Sequence, residues 1–145
     1  LFCAISGIVL GVKLGALSQI LYVVMGLIGI PIFTEGGGLY YIFKPTFGYL
    51  IGFIVASFVI GELSSKIKNF SFIKSLLCIL SGLFFVYLFG VLHLYIIYNL
   101  YIGDRKTMAW AVFYGSIICV GGDLVISVSA ALLSLKLKAL NKLYS

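Results

Sequence analysis

Charged residues are scarce in this sequence. Of its 145 residues, 10% are charged and 63% are hydrophobic, whereas soluble domains average about 25% charged residues. A water-soluble fold cannot hide so much apolar surface, and the apolar residues run along the whole chain instead of forming one anchor or signal peptide. The sequence therefore predicts an all-α membrane protein in which residues 1–145 form a single transmembrane domain.

Residue types that build enzyme sites are also few. The sequence has one histidine, His93, and contains no HExxH, GxSxG or P-loop motif. Its 4 acidic residues occupy different regions of the chain: Glu35, Glu62, Asp104 and Asp123. We therefore expect no catalytic residues, no metal ion and no cofactor. Cys3, Cys78 and Cys119 stand singly in apolar runs without CxxC spacing, which favours small buried hydrophobic side chains over disulfides or metal ligands.

A basic excess gives the chain a net charge of +6. The basic residues are scattered between apolar spans, which argues against nucleic acid and favours a role in membrane orientation. Most of them fall on one side of the predicted topology: Lys13, Lys66, Lys68, Lys74, Lys136, Lys138 and Lys142. The opposite side holds Lys44, Arg105 and Lys106. The positive-inside rule then places the larger group and the C-terminus in the cytoplasm.

Five apolar segments predict helices at residues 1–12, 15–31, 46–62, 75–99 and 108–135. A helix running through the first two segments would far exceed the bilayer, so we expect a tight turn at Lys13, between Gly11 and Gly15. Small residues at intervals of four, such as those at Gly48, Gly52 and Ala56, predict closely packed helices.

The chain opens at Leu1, without an initiator Met and inside an apolar run. Residues 1–12 would rise only about 18 Å as a helix, less than the roughly 30 Å of the hydrocarbon core. We therefore expect a fragment that lacks an N-terminal helix. The whole protein would then be a six-helix transmembrane bundle with both ends in the cytoplasm.

The longest connection runs from Pro31 to Pro45, PIFTEGGGLYYIFKP, and is called here the glycine loop. Its three consecutive glycines permit backbone conformations that other residues avoid. Its aromatic residues fit an interfacial aromatic belt, and they equally fit a loop that folds over a ligand. Composition does not choose between these two roles.

Asp123 lies near the middle of the last apolar segment, in the run CVGGDLVIS. An ionised carboxylate facing lipid there would cost several kcal/mol, so we expect the side chain to face the bundle interior or a cavity. The preceding Gly121 and Gly122 can open the helix locally. Broken helices at membrane depth are tolerated mainly where they line a binding site. The alternative is an acid that only bonds a neighbouring helix through a Ser or Tyr, but the functional role is favoured. His93 is interpreted as an interfacial hydrogen-bonding residue.

Two long runs carry a family resemblance. GVKLGALSQILYVVMGLIGIPIF (residues 11–33) and, after the glycines, KPTFGYLIGFIVASFVIGEL (residues 44–63) resemble the BioY family. A weaker likeness continues at YLFGVLHLY (residues 87–95) and at GGDLVISVSAALLSLKL (residues 121–137). Members of this family are the S components, or substrate-binding subunits, of energy-coupling factor importers for biotin.

The resemblance implies a six-helix fold with an outward-facing pocket closed by the glycine loop. The family's acid in the last helix helps to hold the ureido group of biotin, and Asp123 matches it. The expected substrate-binding residues are Asp123, Gly37, Gly38, Tyr41, Lys44 and Tyr49. The family commonly has a lysine three residues after that acid, where this sequence has Ile126, and Lys44 is the candidate replacement cation.

Biotin capture and import is the leading hypothesis. It implies a transmembrane coupling subunit and two ATPase subunits as partners, in a bacterial cell membrane that the chain crosses several times. Ile126 keeps open a related S component for another vitamin-like ligand. A non-transport membrane protein, either an intramembrane enzyme using His93 and Asp123 or a helical scaffold, also stays open.

Overall fold

The computed structural model of the protein describes the backbone of residues 1–68 and 71–144, and of these the side chains through residue 137. Its elements are α1 (Phe2–Ile28), a short 3-10 helix (Leu39–Phe43), α2 (Phe47–Ser65), α3 (Phe72–Ile96), a π-helical turn (Ile97–Ile102), α4 (Met108–Val112), a second π-helical turn (Phe113–Ile117) and α5 (Ile118–Tyr144). Two lysines of the predicted cytoplasmic tail, Lys138 and Lys142, have side chains outside the described residues.

Within the part of the chain that the structure describes, four helical stretches are long and apolar enough, by length and composition, to cross a membrane: Phe2–Ile28, Phe47–Ser65, Phe72–Ile102 and Met108–Leu137. Large apolar side chains on these stretches are exposed, including Leu77, Phe84 and Val125. Such a surface is stable against lipid tails and costly in water. The chain is therefore an all-α, multi-pass membrane protein, which confirms the predicted fold class at this level.

The first of these stretches is broken at Gly11. This glycine has φ 80° and ψ −173°, a conformation that a residue with a side chain rarely adopts. Ser6 and Gln19 would lie about 20 Å apart along a continuous helix, but Gln19 Nε2 is 3.2 Å from Ser6 Oγ. The chain therefore folds back at Gly11, which confirms the predicted tight turn and places it two residues before Lys13.

Helix α2 packs against both α1 and α3. A Cβ atom at Gly52 would lie 2.7 Å from Val86 Cα, and one at Gly48 would lie 2.6 Å from the Phe89 carbonyl oxygen. Ala56, one turn further, is 1% exposed. The repeat of small residues thus lets the backbones of α2 and α3 approach closely, as predicted.

The last rod runs from α4 through the second π-helical turn into α5. Gly121 and Gly122 lie inside regular α5, so the prediction that they open the helix is wrong. A regular helix satisfies the hydrogen bonds of its own backbone N–H and C=O groups. At membrane depth an unsatisfied backbone group is costly, so α5 stays helical despite its two flexible glycines. The departure from α-helical geometry occurs earlier, at Phe113–Ile117.

The glycine loop folds back onto the end of α1. Gly29, the C-cap residue after α1, adopts the left-handed conformation, and the Gly38 backbone N–H donates to the Gly26 carbonyl at 2.7 Å. Phe33 and Gly36 exchange two backbone hydrogen bonds of 3.1 Å. Gly36 and Gly38 have φ of 103° and 117°, so the loop uses the conformational freedom that its glycines predicted.

Candidate functional site

A cavity of about 320 Å³ lies between α1, α2, α3 and α5 and is called here the central cavity. Small-molecule sites in proteins usually measure about 300–1,000 Å³, so one compact ligand would fill it. Its lining is mainly aliphatic and aromatic, with a few polar groups. The lining residues on which the site depends are Tyr49, Phe53, Tyr87, Asp123, Ile126 and Ser127.

Asp123 enters this cavity midway along the last rod. Its Oδ2 accepts a short hydrogen bond from Tyr87 Oη on α3. The prediction that the carboxylate faces a cavity is confirmed. The alternative that Asp123 bonds a neighbouring helix through a tyrosine is also observed, and the cavity beside the carboxylate shows that the two arrangements coexist.

Among the described residues, Tyr87 is the one whose side chain donates a hydrogen bond to the Asp123 carboxylate. A carboxylate has two oxygens and about four acceptor positions, so one donor leaves most of its capacity for a guest in the cavity. Low local dielectric strengthens every hydrogen bond made there. The arrangement therefore suits a ligand that presents N–H or O–H donors.

Tyr49, on α2, lines the cavity and contacts the last rod through a hydrogen bond. Its Oη donates to the Gly115 carbonyl at 2.5 Å, within the π-helical turn Phe113–Ile117. A Cβ atom at Gly90 would lie 2.4 Å from Tyr49 Cε1, and one at Gly115 would lie 2.8 Å from Tyr49 Oη. Two glycines on different helices thus make room for this ring.

The remaining predicted substrate-binding residues, Gly37, Gly38, Tyr41 and Lys44, are absent from the lining of the central cavity as the described residues form it. Tyr41 is 1% exposed and packs on Phe33 with 4.5 Å between ring centroids. Its Oη is 3.2 Å from Thr34 Oγ1 and 3.1 Å from Thr46 Oγ1. The structure thus brings Asp123 and Tyr49 together and places the other four in the glycine loop.

Lys44 forms an ion pair with Glu35, with Nζ 2.6 Å from Oε2. This hydrogen bond and the attraction of the Glu35 charge raise the pKa of the Lys44 ammonium. Both side chains are exposed, and pairs of this kind contribute little to stability. The candidate cation therefore has a partner inside the glycine loop.

His93 connects α3 to the glycine loop. Its Nε2 is 3.1 Å from the Ile42 carbonyl oxygen, and its ring lies 5.8 Å from the Phe47 ring. It is absent from the lining that contains Asp123. An intramembrane enzyme that combined these two residues is therefore not supported by their positions.

Sequence reasoning did not select Tyr87, although it opens one of the runs that carry the family resemblance. A tyrosine within an apolar span gives no sign of which helix it will face. The cysteines were predicted to be buried, which is correct for Cys78 and wrong for Cys119, an exposed residue that lines the cavity. Cys3 is partly buried and donates its thiol to the Phe53 carbonyl at 3.0 Å.

Comparison with known proteins places the chain among one set of membrane proteins. The sequence model of the BioY family matches residues 1–142. A biotin transporter BioY from Thermotoga maritima is 39% identical over 96% of this chain and 78% of its own length. A probable biotin transporter BioY from Lysinibacillus sphaericus is 32% identical over 94% of this chain and 69% of its own.

A solved structure shares the fold. The S component for biotin from an ECF-type ABC transporter superposes with a TM-score of 0.83 at 22% identity, over 94% of this chain and 71% of that one. The helices described above are therefore arranged as in that subunit.

Proposed function

The chain belongs to the BioY family, and on that premise we propose that it captures biotin and imports it as the S component of an ECF-type transporter. Two relatives that match nearly the whole chain are named biotin transporters. In this role the chain is a transport subunit and not an enzyme. It binds its ligand without changing it, and the energy for import comes from separate subunits.

The observation that carries the proposal is a carboxylate beside a ligand-sized apolar cavity at membrane depth. Among the described residues, Tyr87 is the one that donates a hydrogen bond to Asp123, and Asp123 lines the cavity. The ureido ring of biotin is neutral and carries two N–H donors, and hydrogen bonds to an ionised acceptor are among the stronger ones in proteins. The apolar lining suits the thioether ring of biotin and the start of its tail.

We assign the roles as follows. Asp123 accepts from the ureido N–H groups, Tyr87 orients the carboxylate, and Tyr49 shapes the wall of the cavity. The glycine loop, with Gly37, Gly38, Tyr41 and Lys44, covers the outer side of the site. This part is supported by the packing of Tyr41 and Phe33 in one cluster with Phe47 and Leu50 of α2, the helix that carries Tyr49.

The wider assembly completes the proposal. The whole protein is a six-helix bundle in a bacterial cell membrane, with the glycine loop outside and both termini in the cytoplasm. It works with one transmembrane coupling subunit and two ATPase subunits. The distribution of basic residues and the likeness to an S component support this arrangement.

Calorimetry on the full-length protein in detergent tests the ligand assignment. Asp123→Ala should weaken biotin binding by about 10- to 100-fold, because a hydrogen bond to a charged group contributes about 1.5–3 kcal/mol. Asp104→Ala is the matched control, since Asp104 is exposed and pairs with Lys106 at 2.9 Å, away from the cavity. Equal effects of the two substitutions, or no binding of biotin by the wild type, would contradict the proposal.

A second candidate is an S component for a different small ligand. Ile126 favours it, because this side chain lines the cavity at the position where the family resemblance implies a lysine. A panel of vitamins read by thermal shift separates the two candidates, since a ligand that binds only the folded state raises apparent stability. A shift with another vitamin and none with biotin would select the second candidate.

A further inference from the structure

The described side chains that line the central cavity carry negative charge and no positive charge. Among the side chains of its described lining residues, that of Asp123 is the one with a formal charge, and no lysine, arginine or histidine contributes to the wall. One helical turn beyond Asp123, the wall continues with the aliphatic side chain of Ile126. Ile60 and Ile79, 2% and 4% exposed, line the same space.

This environment opposes a second anion. Two negative charges that shared a cavity of about 320 Å³ would lie within roughly 10 Å of each other. At that separation their repulsion weakens binding by more than about tenfold at an effective dielectric constant of about 20. An anion would also lose its hydration against an aliphatic wall without gaining a cationic partner from the described lining. The Lys44 ammonium, a candidate counter-charge, is bound to Glu35 at 2.6 Å.

We propose that the central cavity accepts ligands with a neutral, donor-bearing head and excludes anionic groups, so that the carboxylate of a biotin-type ligand stays outside the lining. The inference rests on the proposed function for the binding of the ligand's head group. What it adds is the position of the carboxylate at the end of the ligand's tail. The site discriminates by the hydrogen-bond donors of the head and is indifferent to the charge at the far end of the tail.

Biotin and its tail amide form the deciding pair of ligands, because they differ mainly in the charge of the terminal group. Their dissociation constants are measured by calorimetry on the full-length wild-type protein at neutral pH. We expect the amide to bind no more than threefold more weakly than the acid, or more tightly. Biotin binding more than threefold tighter than its amide would overturn the inference.

A pair of variants at Ile126 tests the cause. Ile126→Lys places an ammonium on the cavity wall, and Ile126→Met is a neutral control of similar length. The measured quantity is the ratio of amide to acid dissociation constants, since a new lysine can also pair with Asp123 and lower both affinities. We expect this ratio to be at least tenfold higher in Ile126→Lys than in Ile126→Met. The same ratio in both variants would overturn the claim that the charge of the lining decides.

Failure of the inference and failure of the proposed function give different results. If wild type binds both ligands but prefers the acid by more than threefold, only the inference fails. If wild type binds neither the acid nor the amide, biotin capture itself fails and the inference falls with it.

Discussion

The central cavity and the glycine loop both contain polar and aromatic residues, yet they differ in how their hydrogen bonds are satisfied. In the loop, Tyr41 forms hydrogen bonds with two threonine hydroxyls, and Lys44 donates a hydrogen bond to Glu35. In the cavity, Asp123 has a single donor from the described residues, Tyr87, and a void beside it. Unused hydrogen-bonding capacity next to a cavity therefore distinguishes the proposed ligand site better than composition does.

The largest expected effect separates two adjacent tyrosines of the glycine loop. Tyr41 is 1% exposed and Tyr40 is 54% exposed. Tyr41→Ala should lower the free energy of unfolding by about 3–5 kcal/mol, as expected for removal of a buried aromatic ring, whereas Tyr40→Ala should change it by about 0.5 kcal/mol or less. Reversible denaturation in mixed micelles measures both. Similar losses would show that the interior of the loop is not a packed core.

The next effect concerns the orientation of Asp123. Tyr87→Phe removes the hydroxyl group that donates to Asp123 and keeps the ring. We expect about tenfold weaker biotin binding, because a donor to a charged group is lost. Tyr95→Phe, on the same helix and outside the cavity lining, is the control and should bind biotin as wild type does. An affinity for biotin unchanged by Tyr87→Phe would remove Tyr87 from the site.

The smallest effect is expected at the surface of the glycine loop. The pKa of Lys44 is raised above its usual 10.5 by its hydrogen bond with Glu35. The pair therefore stabilises the loop below pH 10.5 and loses this contribution as the pH rises through the raised pKa. Lys44→Gln should lower the melting temperature slightly at pH 8, and the difference from wild type should vanish at strongly alkaline pH. A difference that grows with pH would contradict the sign.

Much of the fold could be predicted from the sequence because the bilayer fixes the length of apolar helices. The segments predicted at residues 46–62, 75–99 and 108–135 correspond to Phe47–Ser65, Phe72–Ile102 and Met108–Leu137. The turn at Gly11 was within reach for the same reason, since an unbroken helix there would be too long. The π-helical turn at Phe113–Ile117 could not be predicted, because no sequence pattern distinguishes it from the rest of the apolar segment. In the structure Tyr49, from a distant part of the chain, bonds Gly115 within this turn.

The candidate site was only partly predictable. Asp123 could be identified because a carboxylate at membrane depth is costly wherever it does not face a cavity or a partner. Its partner Tyr87 could not, since the pairing joins residues 36 positions apart on different helices. Four of the predicted substrate-binding residues lie in the glycine loop. Glycines and aromatic residues fit both a loop that covers a ligand and a packed loop, and only side-chain contacts distinguish the two.

The most direct measurement of the central claim is a thermodynamic cycle between ligand and protein. Biotin and a biotin methylated at one ureido nitrogen are titrated into wild type and into Asp123→Ala. If Asp123 accepts from that N–H group, methylation should weaken binding to wild type at least tenfold more than binding to the variant, a coupling of about 1.4 kcal/mol. An equal loss in both proteins would show that the ureido group and the Asp123 carboxylate do not interact.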